Sequence, residues 1–166
     1  MEEPELEVVK SLYLSSFPAE ERREYNELKQ QLNIGECAVN LILAGEKTAG
    51  FFIVWDFTEF IYLEHFAIEP KLRGLGIGER TLALIKENYN KPVILETELP
   101  LDETSSRRIK FYQRNGFRLL HRPYLQPSYG GIKPEVEMKL MSTAVDFASE
   151  DLDTYIDIIR KKVYAT

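Results

Sequence analysis

Three glycines alternate behind an arginine in the segment Arg73-Gly-Leu-Gly-Ile-Gly78, which holds three of the nine glycines of the chain. The segment lies between an apolar, strand-like run at 60–68 and an amphipathic helical pattern that begins near Gly76. Helix N-termini bind anions through their N–H groups, and glycine lets an anion approach the backbone closely. With the arginine as an added cation, the pattern predicts a cradle for phosphate or pyrophosphate. A tight strand-to-helix turn is the simpler alternative.

Two common nucleotide-binding motifs do not match this segment. A Walker loop requires Gly-Lys-Ser/Thr, which does not follow here. In a dinucleotide fingerprint the third glycine would stand at position 79, but that residue is Glu79 and Gly78 comes one position early. Glu96 ends a strand-like run twenty residues after Gly76, where a ribose-binding acid would stand. A nucleotide-binding domain therefore stays open as a minor alternative.

A second segment with chemical potential is "IKFYQRNGFRLL", residues 109–120. A helix that carries Phe111 and Tyr112 is predicted to end at Gly116, before a strand begins. A tyrosine hydroxyl, with a pKa near 10, is suited to protonate a departing thiolate, whose own pKa is near 8.5. The alternative is that Tyr112 is a core aromatic residue with its hydroxyl at the rim.

Glu64 is the candidate general base, because period-two alternation places it on the strand face of Phe66 and Ile68. A carboxylate there can act as a general base, directly or through water. A solvent-exposed strand glutamate is an equal alternative. The histidines, His65 and His121, are too few and too isolated to predict a metal site, so no metal is expected.

Acidic residues cluster where the β-branched run 92–97 ends and its loop begins. They are Glu96, Glu98, Asp102 and Glu103. Such a cluster can attract a cationic amine, although loop acids are usually only solvated. The loop 122–133 adds Tyr124, Gln126 and Tyr129, a mixture suited to lining the pocket of a small acceptor and equally to an ordered surface loop.

The elements that must position these residues follow from hydrophobic periodicity. Helices are expected at 5–16, 19–32, from Gly76 to Tyr89, at 104–115 and from Leu152 to Val163. Strands are expected at 37–44, 49–57, 60–68, 92–97, 136–140 and around 117–122. This order predicts an α/β (α+β) fold with a mixed, mostly antiparallel central sheet, flanking helices and an extra C-terminal helix.

The totals describe an ordinary globular protein. The chain has 166 residues, 44% hydrophobic and 29% charged, and is expected to form one domain over 1–166. The net charge of −6, with no basic stripe, predicts no nucleic-acid partner. No apolar run approaches the roughly 20 residues that span a bilayer, and the N-terminus lacks the order of a signal peptide. A single cysteine excludes an intrachain disulfide. We expect a cytoplasmic monomer or homodimer that does not bind membranes.

Two motifs together carry a family resemblance. Arg73-x-x-Gly76-x-Gly78 resembles the R/Q-x-x-G-x-G/A signature of the GNAT superfamily of N-acetyltransferases, and "FYQRNGF" resembles the later F-Y-x-x-x-G-F segment of that family. The order of elements matches over roughly residues 37–141, with motif support at 60–80 and 105–118. The resemblance implies a GNAT-like fold and acetyl transfer from acetyl-CoA to an amine acceptor, by direct attack within a ternary complex.

The resemblance also implies roles for the matching residues. Backbone amides of the glycine segment would hold the CoA pyrophosphate; they belong to Arg73, Gly74, Leu75, Gly76, Ile77, Gly78 and Glu79. Main-chain groups of Phe66, Ala67 and Ile68 would meet pantetheine and the thioester carbonyl, as an oxyanion-type donor. Tyr112 would be the general acid.

The chain departs from the family pattern at two positions. The family often has Asn and Ala where Ser105 and Arg108 stand here, so Ser105 would contact the cofactor with a shorter reach. Two other functions stay open beside the acetyltransferase. They are a non-catalytic acyl-CoA-binding module of the same fold and the nucleotide-binding α/β domain.

Overall fold

Seven strands form a mostly antiparallel sheet flanked by helices in the computed structural model, which describes residues 3–35, 37–131, 133–144 and 147–164. The helices are α1 (Glu3–Ser16), α2 (Tyr25–Ile34), α3 (Ile77–Tyr89), α4 (Glu103–Arg114) and α5 (Ser149–Ile159). The strands are β1 (Ala38–Ala44), β2 (Lys47–Asp56), β3 (Ile61–Ile68), β4 (Val93–Glu98), β5 (Arg118–Leu119), β6 (Tyr124–Gln126) and β7 (Val136–Ser142). The predicted fold class is confirmed. The chain divides into two compact units, and the prediction of a single domain over 1–166 stays a prediction.

The first unit comprises residues 1–56 and 63–90. Strands β1 and β2 form a hairpin and pair antiparallel from Ala38 opposite Val54 to Ala44 opposite Lys47. Gly45 turns the chain between them with a φ of 65°, in the left-handed region that glycine tolerates best. Helix α1 packs against β2. Fully buried side chains of this unit include Tyr13, Leu28, Phe51, Ile53, Trp55 and Leu82.

The second unit comprises residues 57–62 and 91–166, and β7 organises it by pairing antiparallel with β4, β5 and β6. In the registers, Glu98 and Tyr124 both lie opposite Met138, Glu96 opposite Leu140 and Gln126 opposite Val136. Directly opposed residues share a face of a sheet, and so do alternate residues of one strand. The pairing therefore collects two acids, a tyrosine and a glutamine on one face.

Three details differ from the sequence predictions. Residues 19–24 are not the start of a helix: a 3-10 turn, Ala19–Glu21, follows Pro18, and α2 begins only after a capping box between Glu24 and Glu27. The strand predicted around 117–122 is reduced to two residues, β5. Strand β6 lies within the predicted loop 122–133, because the prolines on either side of it favoured a loop over a strand.

Candidate functional site

The glycine segment opens α3 with two residues in the left-handed region. Gly74 has a φ of 79° and Gly76, the N-cap of α3, has a φ of 73°. An L-residue pays roughly 1–2 kcal/mol to adopt that conformation. A β-carbon at either position would meet no atom within 4 Å, so the backbone here faces open space. Gly78 lies within the first turn of the helix, so the three glycines do not serve one purpose.

This backbone presents a row of amide donors. Within the described part of the chain, the N–H groups of residues 74–79 have no hydrogen-bond acceptor, whereas the Arg80 N–H already donates to the Gly76 carbonyl at 3.1 Å. The first N–H groups of a helix have no acceptor within it, and they carry the positive end of the helix dipole. The segment therefore has the chemistry of an anion site, as the sequence predicts.

Strand β3 is tied to this segment at its end. The Arg73 Nε donates to the Ile68 carbonyl at 3.0 Å, and the side chains of Ile68 and Ile77 share a buried cluster, against which Phe66 packs. Sequence reasoning overlooked Gly50 on β2, although a glycine inside a strand often marks a close backbone approach. A β-carbon there would lie 2.2 Å from the Ala67 carbonyl oxygen, so only glycine allows this approach.

Glu64 lies in a buried ion pair. Its side chain has 0% exposure, and one carboxylate oxygen pairs with the Arg23 guanidinium, which is itself 2% exposed. The Trp55 Nε1 donates to the other oxygen at 2.6 Å. Arg23 lies 41 positions and Trp55 nine positions from Glu64 in sequence, and no local pattern predicts either contact. The base role requires a carboxylate that a substrate can reach, so this burial favours a structural role.

His65 is enclosed by aromatic rings, with centroid distances of 5.1 Å to Tyr13 and 4.3 Å to Phe17. Burial lowers the pKa of the imidazole to about 4, so it is neutral at physiological pH. Its Nε2 lies 3.9 Å from the Glu64 carboxylate, but a neutral imidazole forms no ion pair with it. His65 thus belongs to the packing around the ion pair.

Tyr112 is held near the C-terminal end of α4 in the second unit. Its ring is 7% exposed and contacts Phe117 at 5.6 Å, and Gly116, with a φ of 86°, ends the helix as predicted. Within the described residues its hydroxyl makes no hydrogen bond. Burial raises the pKa of Tyr112 to about 12, with Arg108 lowering it and Glu98 raising it. The hydroxyl is therefore protonated at neutral pH and able to donate to a ligand.

Ser105 belongs to the helix cap of α4. Its N–H donates to the Asp102 carboxylate at 2.7 Å, and its hydroxyl lies 2.8 Å from the same oxygen. These hydrogen bonds from Ser105 are the main cause of the lowered pKa of Asp102. The capping hydrogen bonds alone account for a serine at position 105. The contact of Ser105 with the cofactor stays a prediction. Arg108 forms an ion pair with Glu98 of β4, which fixes α4 against that strand.

Glu96 is the centre of a polar network that sequence reasoning found only in part. Tyr124 donates to one carboxylate oxygen at 2.5 Å, and Tyr164 donates to the other at 2.7 Å. The Tyr164 hydroxyl accepts from Tyr62, 2.9 Å away, and from the Gln126 Nε2 at 3.1 Å. Tyr164 ends a π-helical turn, Arg160–Tyr164, and nothing in its local sequence points to Glu96.

Neither a metal site nor a membrane segment is visible in the described ranges. No group of three or more His, Cys, Asp and Glu side chains there is placed to hold a metal ion. No helix in the same part of the chain is both long and apolar enough to cross a bilayer.

The first unit thus has a helix start with the chemistry of an anion site behind an arginine, and the second unit has a buried tyrosine that is protonated at neutral pH. Comparison with known proteins names the class of protein. Residues 36–119 match the family model described as the acetyltransferase (GNAT) domain. A structure described as a GNAT-family acetyltransferase from Bacteroides thetaiotaomicron is 37% identical, with a TM-score of 0.90, and the match covers 98% of this chain and 93% of that one. The chain belongs to the GNAT family of acetyltransferases, which are acyltransferase enzymes.

Two further relatives are more distant. YjbC of Bacillus subtilis (strain 168), named as an acetyltransferase, is 36% identical over 66 residues, which are 38% of this chain and about a third, 33%, of that protein. Arabidopsis thaliana Naa50, in complex with the bisubstrate analogue CoA-Ac-MVNAL, is 19% identical with a TM-score of 0.64, and the match covers 87% of this chain and 95% of that one. At that identity, the second likeness shows the fold alone.

Proposed function

We propose that the protein transfers an acetyl group from acetyl-CoA to an amine acceptor, by direct attack of the amine while both substrates are bound. The observation that carries the proposal is the row of amide donors over residues 74–79, opened by Gly74 and Gly76 and facing open space. Such a row suits the two adjacent phosphates of CoA. Naa50, which has the same fold, was captured with CoA, acetyl and peptide in one molecule.

The glycine segment and strand β3 bind different parts of acetyl-CoA, the acetyl donor. Amides of residues 74–79 bind the pyrophosphate, since the Arg73 N–H already donates to the Pro70 carbonyl at 3.4 Å. The Arg73 side chain adds a cation whose position is fixed by its hydrogen bond to Ile68. Main-chain groups of residues 66–68 bind pantetheine, and an N–H among them stabilises the negative oxygen of the tetrahedral intermediate. Gly50 supports this strand by letting the Ala67 backbone approach β2.

Tyr112 interacts with the CoA sulfur as it departs from the acetyl group. The amine nitrogen attacks the thioester carbonyl carbon, the C–S bond breaks, and the sulfur leaves with the electron pair of that bond. A tyrosine with a pKa of about 12 is a weaker acid than a thiol of about 8.5. It therefore acts first as a hydrogen-bond donor to the developing thiolate. The proton that the attacking nitrogen loses as the amide forms balances the one that the sulfur gains as the CoA thiol.

The proton on the incoming ammonium has two candidate acceptors, Glu64 and water. Glu64 remains a candidate base from sequence, but its buried pairing with Arg23 supports a role in holding β3 in place. We therefore assign deprotonation to water, with the ammonium losing its proton to solvent before attack. The same burial is the observation that favours the second candidate function, an acyl-CoA-binding module that does not turn over.

The remaining expectations enter the proposal unchanged. We infer that the protein works in the cytoplasm, as a monomer or homodimer, without a metal, membrane or nucleic-acid partner. The net charge of −6 supports the absence of a nucleic-acid partner. Ser105 stays a candidate CoA contact beside its capping role.

Two measurements test the proposal. Thermal shift with CoA, acetyl-CoA, NAD and ATP asks which ligand the cradle prefers, and we expect stabilisation by the first two. Release of the CoA thiol is then followed with polyamines, amino acids, aminoglycosides and peptide N-termini as acceptors. Binding without thiol release from any acceptor would favour the binding module, whereas preference for NAD or ATP would favour the nucleotide-binding domain.

A further inference from the structure

We propose that Arg108 is a positioning residue for acetyl transfer, whose guanidinium places a positive charge beside the Tyr112 hydroxyl while that hydroxyl donates to the departing sulfur. The inference rests on the proposed function and adds to it a residue that acts through Tyr112. Both residues belong to α4, and a third, Glu98, ends β4 in the same compact unit.

Helix α4 brings Arg108 and Tyr112 to the same side. The two residues are four positions apart in the helix, and residues at that spacing are neighbours on its surface. Aromatic side chains of a helix point back over the turn that precedes them. The Tyr112 ring therefore extends from its own α-carbon towards the turn that carries Arg108.

The Tyr112 ring is held by two aromatic neighbours. Its centroid lies 5.4 Å from that of Phe111 and 5.6 Å from that of Phe117. Such ring contacts restrict the direction of the hydroxyl, but they offer it no charge. The charges that act on the hydroxyl come from Arg108 and Glu98.

Glu98 fixes the position of the guanidinium. The Arg108 Nη1 donates to one carboxylate oxygen of Glu98, and this ion pair joins α4 to the end of β4. The side chains are 37% and 27% exposed, respectively, so the pair is only partly screened by water. Because a guanidinium keeps its proton at every pH of interest, the positive charge stays at a defined place beside Tyr112.

The two charges of the pair act on Tyr112 with opposite signs. Arg108 lowers the pKa of Tyr112 and Glu98 raises it, and the effect of Arg108 is the larger one. The pair as a whole therefore favours negative charge at the hydroxyl. A hydroxyl beside a cation is a stronger hydrogen-bond donor, and this matters most in the transition state, when the sulfur becomes negative. Arg108 keeps its own proton throughout.

The test measures thiol release from acetyl-CoA, with the acceptor that reacts fastest in the screen described above. Arg108→Gln should lower kcat about tenfold and change the KM for acetyl-CoA less than twofold, because the charge acts only as the sulfur becomes negative. Arg108→Lys should restore kcat to within about threefold of the wild type, since the ammonium carries the same charge and a single donor contact suffices here.

Arg107→Gln is the matched control. Arg107 is the neighbouring arginine of α4, its side chain is 74% exposed, and it forms an ion pair with Glu103 within the helix. The same substitution there should change neither kcat nor the KM for acetyl-CoA. A tenfold loss of kcat in Arg107→Gln would show a general effect of charge on α4 and would contradict the specific role of Arg108.

Glu98→Gln distinguishes the positive charge from the ion pair. If the pair only fixes α4 against β4, Glu98→Gln and Arg108→Gln should lower kcat alike, and that result would overturn the proposal. We expect instead that Glu98→Gln does not lower kcat, because it removes a negative charge and keeps an oxygen that accepts from Arg108. The double variant with both substitutions leaves no unpaired charge, and it should still show a lower kcat if Arg108→Gln alone folds poorly.

A double-mutant cycle shows whether Arg108 acts through Tyr112. In the Tyr112→Phe background, Arg108→Gln should change kcat less than twofold, because the hydroxyl on which the charge acts is gone. A tenfold loss in both backgrounds would indicate a structural effect or a direct action on the substrate, and either would overturn the positioning role. Denaturant unfolding of each variant gives its stability for comparison.

Failure of this inference is distinct from failure of the proposed function. If the wild type releases no thiol from acetyl-CoA with any acceptor, the proposed function fails, and the role of Arg108 fails with it. If the wild type turns over and Arg108→Gln keeps the wild-type kcat, only the role of Arg108 is overturned.

Discussion

Gly50 lies directly against Ala67: a β-carbon on the glycine would be 2.2 Å from the alanine carbonyl oxygen and 3.1 Å from the Ile68 α-carbon. Both neighbours are backbone atoms, which cannot move aside by rotation of a side chain. The position of residues 66–68, the proposed binding strand for the thioester, is therefore set by the lack of a side chain on β2.

Gly50→Ala should displace that strand. We expect a loss of roughly 1–3 kcal/mol in the free energy of unfolding from overpacking, and a fall of at least tenfold in acetyl-CoA affinity. Denaturant unfolding and calorimetric titration measure the two effects. Gly45→Ala is the control in the same hairpin, because it strains the backbone at a φ of 65° but meets no atom within 4 Å. Equal affinity losses in the two variants would contradict the role of Gly50.

Gly76→Ala tests whether the amides of the glycine segment bind CoA, and Gly35→Ala is the control with the same backbone strain. Gly76 and Gly35 have φ values of 73° and 75°, and a β-carbon at either meets open space. Each substitution should cost about 1–2 kcal/mol of stability. Only Gly76→Ala should weaken CoA binding, since it alone disturbs the row of amide donors. Equal CoA affinity in the two variants would remove the pyrophosphate assignment.

Tyr112→Phe should lower kcat by a factor of about 10²–10⁴ and leave CoA affinity within twofold, because the hydroxyl that donates to the departing sulfur is lost. Thiol release under saturating acetyl-CoA gives kcat, and titration calorimetry gives the affinity. With a pKa of about 12, the hydroxyl should produce no fall in activity up to pH 10. Tyr155→Phe is the control, a tyrosine of the same unit whose ring stacks on Phe60 at 4.5 Å. Unchanged turnover in Tyr112→Phe would end its role as the acid.

Glu64→Gln distinguishes a role of Glu64 as the general base from a structural role in the ion pair with Arg23. If Glu64 is structural, the variant should lose about 3–5 kcal/mol of stability, because the Arg23 charge stays buried without its carboxylate. Arg23→Met combined with Glu64→Gln should recover part of that loss. Glu7→Gln, at an exposed pair with Lys10, should cost less than about 1 kcal/mol. Lost turnover at unchanged stability would restore Glu64 as the base.

His65 should make stability depend on pH in a defined window. Its folded pKa of about 4 lies below the unfolded value of 6.5, so the unfolded chain binds a proton first as the pH falls. The stability contribution is present above pH 6.5 and decreases by roughly 3 kcal/mol as the pH falls to 4. The charged groups that act on the imidazole are Glu64, Arg23 and Arg22. His65→Phe should flatten this part of the unfolding profile, and a profile that keeps the wild-type slope would exclude the histidine as its cause.

Local sequence patterns were sufficient to predict many of the helices and strands. The helix over α3 and its start at Gly76 follow from a 3.6-residue period and from two glycines that the turn requires. Gly116 ends α4 for the same reason, a φ of 86°. Strand β6 was not predicted from the sequence, because a segment of three residues between prolines is too short to show a hydrophobic period. Its formation depends on pairing with β7.

The sequence by itself determined the family, the glycine turn that opens α3 and the helix that carries Tyr112, because each depends on backbone conformation and spacing within a few residues. Only the tertiary structure decided which side chains the acids contact. Glu64 meets Arg23 across 41 positions, and Glu96 meets Tyr164 across 68. Such contacts depend on strand order and register, which fix the neighbours of a side chain independently of its distance along the chain.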